Sequence, residues 1–157
     1  MKYFKKSALI LFLLIIFISK NLFSQKIIKF ATLAPEGTNW VKILREFTKD
    51  VEKETKGSIK FKIYTGGVQG DEKDIIRKIK TGQIHASGFT GVGVGEIAKE
   101  IRVLDAPFLF KNYEEIDYIY SKFDQEFRDI FEKNGFVLLG WSEIGEVYLL
   151  SKKIITK

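Results

Sequence analysis

The 157-residue chain has no cysteine, which excludes a disulfide framework, a thiolate metal site, a catalytic thiol and a lipid-modified cysteine anchor. Its single histidine, His85, excludes multi-histidine metal sites such as HExxH. Proline is scarce, at two residues, and no Gly-Lys-Ser/Thr phosphate loop occurs. No apolar run is long enough to span a membrane. The eleven residues from Ala8 to Ile18 would rise only about 17 Å as a helix, against a hydrocarbon core of roughly 30 Å. What remains is 45% hydrophobic and 29% charged, with 22 aromatic residues, the composition of one globular domain.

Lys2, Lys5 and Lys6 precede that apolar run, and Ser24 supplies a small residue after it. A basic start, a short apolar stretch and a small residue at the cut predict a secretory signal peptide over 1–24. The formal charge of +6 then falls to +2, because four lysines and no acidic residue lie in the leader, leaving 22 basic against 20 acidic residues. With the remaining charges interspersed, a nucleic-acid surface is not expected. Nor is stable membrane insertion expected once the leader is removed.

Beyond the leader two hydrophobic periods alternate. Lys26 to Leu33 is nearly continuous, as in a buried strand, and Pro35 and Gly37 end it. Trp40, Leu44, Phe47 and Val51 recur at spacings of four, three and four, predicting a helix from Thr38 to Thr55 with Thr38 as N-cap and Gly57 as stop. Ile59 to Ile63 alternates strictly and reads as a half-buried strand. Asp71 opens a short helix closed by Gly82, and Ile84 to Phe89 is a third strand. Asn112 and Glu115 form a capping pair ahead of an aromatic stripe from Ile116 to Phe131, one helix or two joined near Phe123. Phe136 to Trp141 and Val147 to Leu150 read as final strands. The order β-α-β-α-β-α-β-β predicts an α/β layer with a mainly parallel sheet flanked by helices.

Several motifs invite chemistry and fit it poorly. Gly91-Val-Gly-Val-Gly95 has the spacing G-x-G-x-G and follows the third strand, so a tight turn accounts for it better than a dinucleotide loop does. His85 has no serine and carboxylate partner set and reads as structural. Asp71, Glu72 and Asp74 suit a helix start. The stripe of Phe and Tyr suits a core, with a partner-helix surface as the alternative. Three segments resist a packing explanation: Leu33 to Trp40, Gly88 to Val92 and Gly140 to Glu143. All lie at the carboxyl ends of expected parallel strands, where open α/β sheets bind ligands. They offer close backbone approach, hydroxyls and an indole but no activated nucleophile, which suggests binding without turnover.

Read in order, Phe30-Ala-Thr32 with Gly37-Thr-Asn-Trp40, Thr55-Lys-Gly57, Gly66-Gly-Val-Gln-Gly-Asp71, Ile79-Lys-Thr-Gly-Gln-Ile84 and Val103-Leu-Asp-Ala-Pro-Phe-Leu-Phe110 resemble the solute-binding subunit of TRAP transporters, the DctP-like family. The resemblance runs from about Lys26 to the last residue. It implies a periplasmic receptor that captures a small organic acid between two α/β lobes and delivers it by transient docking to membrane subunits, with no cofactor and no metal. Its ligand-binding positions would be Leu33, Ala34, Thr38 and Trp40, then Phe89, Thr90 and Gly91, then Trp141 and Glu143. The box from Pro107 to Phe110 would be structural. Residues 25–140 would form the first lobe, and 141–157 a crossover strand into a second lobe that this chain lacks, so the chain reads as truncated.

By the same comparison the arginine that pairs with the ligand carboxylate falls past Lys157, and Val147 stands where some members carry a second basic residue. The expectation is weak or undetectable binding, and aggregation at an edge left open for missing chain. Two other classes stay open: a small exported α/β enzyme acting on an anionic metabolite through His85 or Glu143, and an ectodomain that docks through Phe123 and Phe127.

Overall fold

A computed structural model describes residues 25–142 and Lys152. The leader, Glu143 and the expected strand from Val147 to Leu150 lie outside the described residues. The chain divides after Gly88 into two compact units.

The first unit is built on β1 (Lys26–Thr32), which lies between two parallel neighbours, β2 (Ile59–Tyr64) and β3 (Ala86–Gly88), in the order β2-β1-β3. Being central fits the nearly continuous apolar run of β1, whose carboxyl half, Phe30, Ala31 and Thr32, is buried. On the other side of β1, β2 keeps the strict alternation of an outer strand.

Helix α1 (Asn39–Glu54) starts where Thr38 Oγ1 accepts from the Val41 N–H. It ends where the Gly57 N–H, at φ +78°, reaches back to the Glu52 carbonyl at 2.8 Å. Its buried line is turned by about one residue from the expected one. Val41 and Thr48 are buried, whereas Phe47 is 55% exposed and meets the sheet only edge-on against Phe61, at 6.2 Å between rings. Helix α2 (Glu72–Lys80) is capped by Asp71, whose Oδ1 accepts from the Asp74 N–H at 2.8 Å, and it seats Ile75 without any exposure.

The third strand is shorter than expected, three residues instead of six. The reason is local: the N–H groups of Gln83 and Ile84 both donate to the Lys78 carbonyl and are still closing α2.

The second unit is helical among the described residues. Gly91 to Gly95 is not a tight turn but most of a short helix, α3 (Gly91–Ile97), capped by Thr90 and followed by a 3-10 segment (Lys99–Asp105). The glycines serve close approach, since a Cβ on Gly91 would overlap the Asp105 carboxylate and one on Gly95 the stem of Arg102.

The aromatic stripe forms two helices, α4 (Tyr113–Lys122) and α5 (Asp124–Lys133), broken at Phe123. Asn112 Oδ1 accepts from the Glu115 N–H, and Glu115 Oε2 accepts from the Lys111 N–H, two orphan donors satisfied at one helix start.

Residues 136–142 are not a strand. A run of apolar residues suits any partly buried extended segment, but a strand also needs a ladder. Here the Phe136 N–H returns to Phe131 and the Leu138 carbonyl accepts from Arg128 at 2.7 Å. The segment is tied to α5 instead. Ile97, Ala98, Ile101 and Phe131 are the buried apolar residues of this unit.

Candidate functional site

The carboxyl ends of β1 and β2 leave the sheet side by side and are sewn together. The Gly66 N–H donates to the Ala34 carbonyl at 2.9 Å, and the Gly67 N–H to the Thr32 carbonyl at 3.2 Å. Both glycines have positive φ, 62° and 72°, which this close turn requires. Leu33 lies against Gly67, where a Cβ would stand 3.3 Å from its Cδ2. Thr32 Oγ1 accepts from the Ala34 N–H at 3.1 Å and fixes the first bend out of the sheet.

A second tie comes from charge. Arg45, on α1, donates through Nε and Nη2 to the two carboxylate oxygens of Glu36 at 3.0 and 2.7 Å. The Thr65 hydroxyl adds a bond to Glu36 Oε2 at 3.1 Å. The guanidinium holds the Glu36 carboxyl below its usual range, and the carboxylate in turn raises Arg45.

Each residue singled out from the sequence can now be placed. Leu33 and Ala34 form the exit from β1. Thr38 caps α1, with its hydroxyl donating to the Pro35 carbonyl at 2.9 Å and accepting from Val41. One turn on, Trp40 packs its ring near Phe30 and over the end of β3, so closely that a Cβ on Gly88 would stand 2.5 Å from the indole. These four gather at the carboxyl edge of the sheet within the first unit. The chain then passes from Gly88 to Phe89 and Thr90, the first residues of the second unit. There Thr90 Oγ1 accepts from the Val92 N–H at 3.3 Å as the cap of α3, and Gly91 opens that helix.

Trp141 has a different setting. It stacks on Tyr120 at 4.6 Å with 2° between planes and meets Phe127 and Phe131 edge-on. Its buried Nε1–H has no hydrogen-bond partner in the structure. With Tyr113, Asp117, Tyr120 and Ser142 it lines a cleft of about 330 Å³ in the second unit. Glu143 is outside the described residues.

Thr65, Arg45 and the Gly66-Gly67 pair shape this edge and were not read from the sequence as part of it, whereas Glu36 lies within the Leu33–Trp40 segment that was. A Gly-Gly after a strand was the one available signal, because paired positive-φ residues mark a turn that must pass close to something. Among the described residues no group of three His, Asp or Glu could hold a metal ion. What the edge presents is backbone, hydroxyl and apolar surface, the makings of a binding site.

The model of the bacterial extracellular solute-binding protein family 7, DctP, matches residues 30–157. The chain belongs to this family. A solute-binding protein of Chromohalobacter salexigens is 29% identical over 101 residues, 64% of this chain and 30% of that protein. A TRAP periplasmic solute-binding protein of Pseudomonas putida F1, solved with bound D-glucuronate, is 29% identical, with a TM-score of 0.61 over 68% of this chain and 35% of its own. Another from Chromohalobacter salexigens, also with D-glucuronate, is 26% identical, with a TM-score of 0.65 over 73% of this chain and 38% of its own. The expected fold, a parallel sheet flanked by helices as in the first lobe of these proteins, is the fold observed. The chain spans about a third of the length of the curated relatives it matches.

Proposed function

We propose that this DctP-family chain is a solute receptor of a TRAP-type secondary transporter, exported to the periplasm, that captures a small organic acid and passes it to membrane subunits by transient docking. The observation that carries the reading is the pair of joined loops at the carboxyl edge of β1 and β2, in a chain of this family. Such an edge is preformed, so a ligand does not have to order it. The proposed ligand positions are Leu33, Ala34, Thr38 and Trp40 in the first unit; Phe89, Thr90, Gly91, Trp141 and Glu143 are the further positions that membership of the family suggests. The role is capture without turnover, since none of these positions offers an activated nucleophile. The D-glucuronate held by two relatives supports a carboxylate ligand.

None of the nine positions carries a cationic side chain. Besides Glu143, itself an anion, these positions offer an acid only neutral donors, which lack the charge-assisted bonds that give such sites most of their strength. This chain by itself should therefore bind acids weakly, in the millimolar range. Two-dimensional NMR during titration with D-glucuronate, succinate and neutral D-glucose tests the proposal. Shifts confined to the named positions, seen with the acids and not with glucose, are expected. Equal response to glucose, no response at all, or turnover of an acid that depends on His85 or Glu143 overturns it. Micromolar affinity would overturn the argument from the missing cation.

A further inference from the structure

The chain's one imidazole occupies a place that backbone fills elsewhere in the sheet. In a regular parallel ladder, a central-strand N–H and the carbonyl of the same residue bond to residues two apart on the neighbouring strand. In the register that pairs Phe30 with Ala86, the regular partner of the Lys29 N–H is the carbonyl of Ile84, while the Lys29 carbonyl accepts from the His85 N–H at 2.9 Å. Ile84 is still part of the turn that closes α2, its own N–H bonded to the Lys78 carbonyl at 3.2 Å. The Lys29 N–H donates instead to Nδ1 of His85, at 3.0 Å. One residue thus clasps Lys29 twice, by backbone and by ring, and the regular register from Phe30 and Ala86 onward follows from there.

We infer that the His85 ring is the acceptor that begins the β1–β3 pairing, and that protonating the ring opens this end of the sheet. Only a neutral imidazole has an acceptor nitrogen; the protonated ring carries N–H at both positions and would set a donor against the Lys29 donor. Lysines lie on the elements beside it. Lys29 is its immediate neighbour, and Lys62 stands in register on the far side of β1. The turn that delivers His85 carries Lys78, whose ammonium is bonded to Gln69, and Lys80. In this unit Glu36 pairs with Arg45, Glu52 with Lys60 and Asp74 with Arg77. The clasp therefore needs the neutral ring and opens when the ring takes up a proton. The inference concerns the pairing itself and stands whatever solute the chain takes.

The test is NMR on the uniformly 15N-labelled chain. At about pH 7.5 a through-hydrogen-bond coupling should connect the Lys29 amide nitrogen to His85 Nδ1, and by about pH 5 it should vanish. Protection of the Lys29 amide from exchange, corrected for the intrinsic rate, should fall roughly five- to tenfold over that range, the worth of one hydrogen bond. His85→Asn, whose amide oxygen can take the place of Nδ1, should keep the protection and lose its pH dependence. His85→Leu should lose protection at both values. No coupling at pH 7.5, protection that ignores pH, or wild-type protection in His85→Leu overturns the inference. Should His85→Leu not fold, the coupling in the unmodified chain decides alone.

Discussion

Thr38 and Glu36 stand two residues apart, and the sequence speaks plainly about one and not at all about the other. Thr38 caps its own helix through atoms three residues away, so its role follows from local chemistry. Glu36 finds its partners nine and 29 residues along the chain, at Arg45 and Thr65, and only folding brings them together. Because Arg45 keeps the Glu36 carboxyl low, the pair steadies the folded state above the ordinary carboxylate range. That contribution is lost as pH falls through the lowered value. Glu36→Gln should therefore lower the melting temperature slightly at about pH 7, and the difference from the unmodified chain should close as acid protonates Glu36. Both side chains are substantially exposed, so the effect is small, and thermal melts across pH will measure it.

Helices declared themselves well by periodicity and caps: α1, α2 and the Asn112 start of α4 lie where spacing and capping residues put them. The departures come from elements defined by their neighbours. The glycines of α3 look like turn residues until the 3-10 segment that packs on them is seen. Gly95 sets two effects of opposite sign against each other. Helix propensity alone would make Gly95→Ala stabilising by about 0.8–1.0 kcal/mol. Overpacking against the Arg102 stem costs about 1–3 kcal/mol, and an Arg stem so near its backbone has little freedom to retreat. Packing should win, and urea unfolding should show a net loss of stability; a gain would mean that Arg102 simply swings away. Residues 136–141 make the complementary point, since an apolar run alone suggested a strand while the ladder that defines one is decided elsewhere.

For the molecule as a whole, the family places the chain among solute-binding proteins, about a third of whose length it spans. The charge argument operates at this scale. If 1–24 is an export leader, the exported protein carries +2 rather than +6 and has no electrostatic case for binding nucleic acid. Amino-terminal sequencing of the exported chain should then begin within a few residues of Gln25. A start at Met1 would return the four leader lysines to the mature protein and sink that reading. Among the described residues no helix is long and apolar enough to cross a membrane.

The sequence by itself determined the class of fold, the helix starts and stops, and the chemistry that is out of reach. Each of these depends on residue type and short-range spacing, and a missing cysteine is missing in any conformation. Tertiary structure alone decided which strand is central, how the exits of β1 and β2 are joined, why Gly88 must admit Trp40, and that His85 completes the ladder at Lys29. Those depend on atoms brought within about 3–4 Å across tens of residues, which no local pattern encodes.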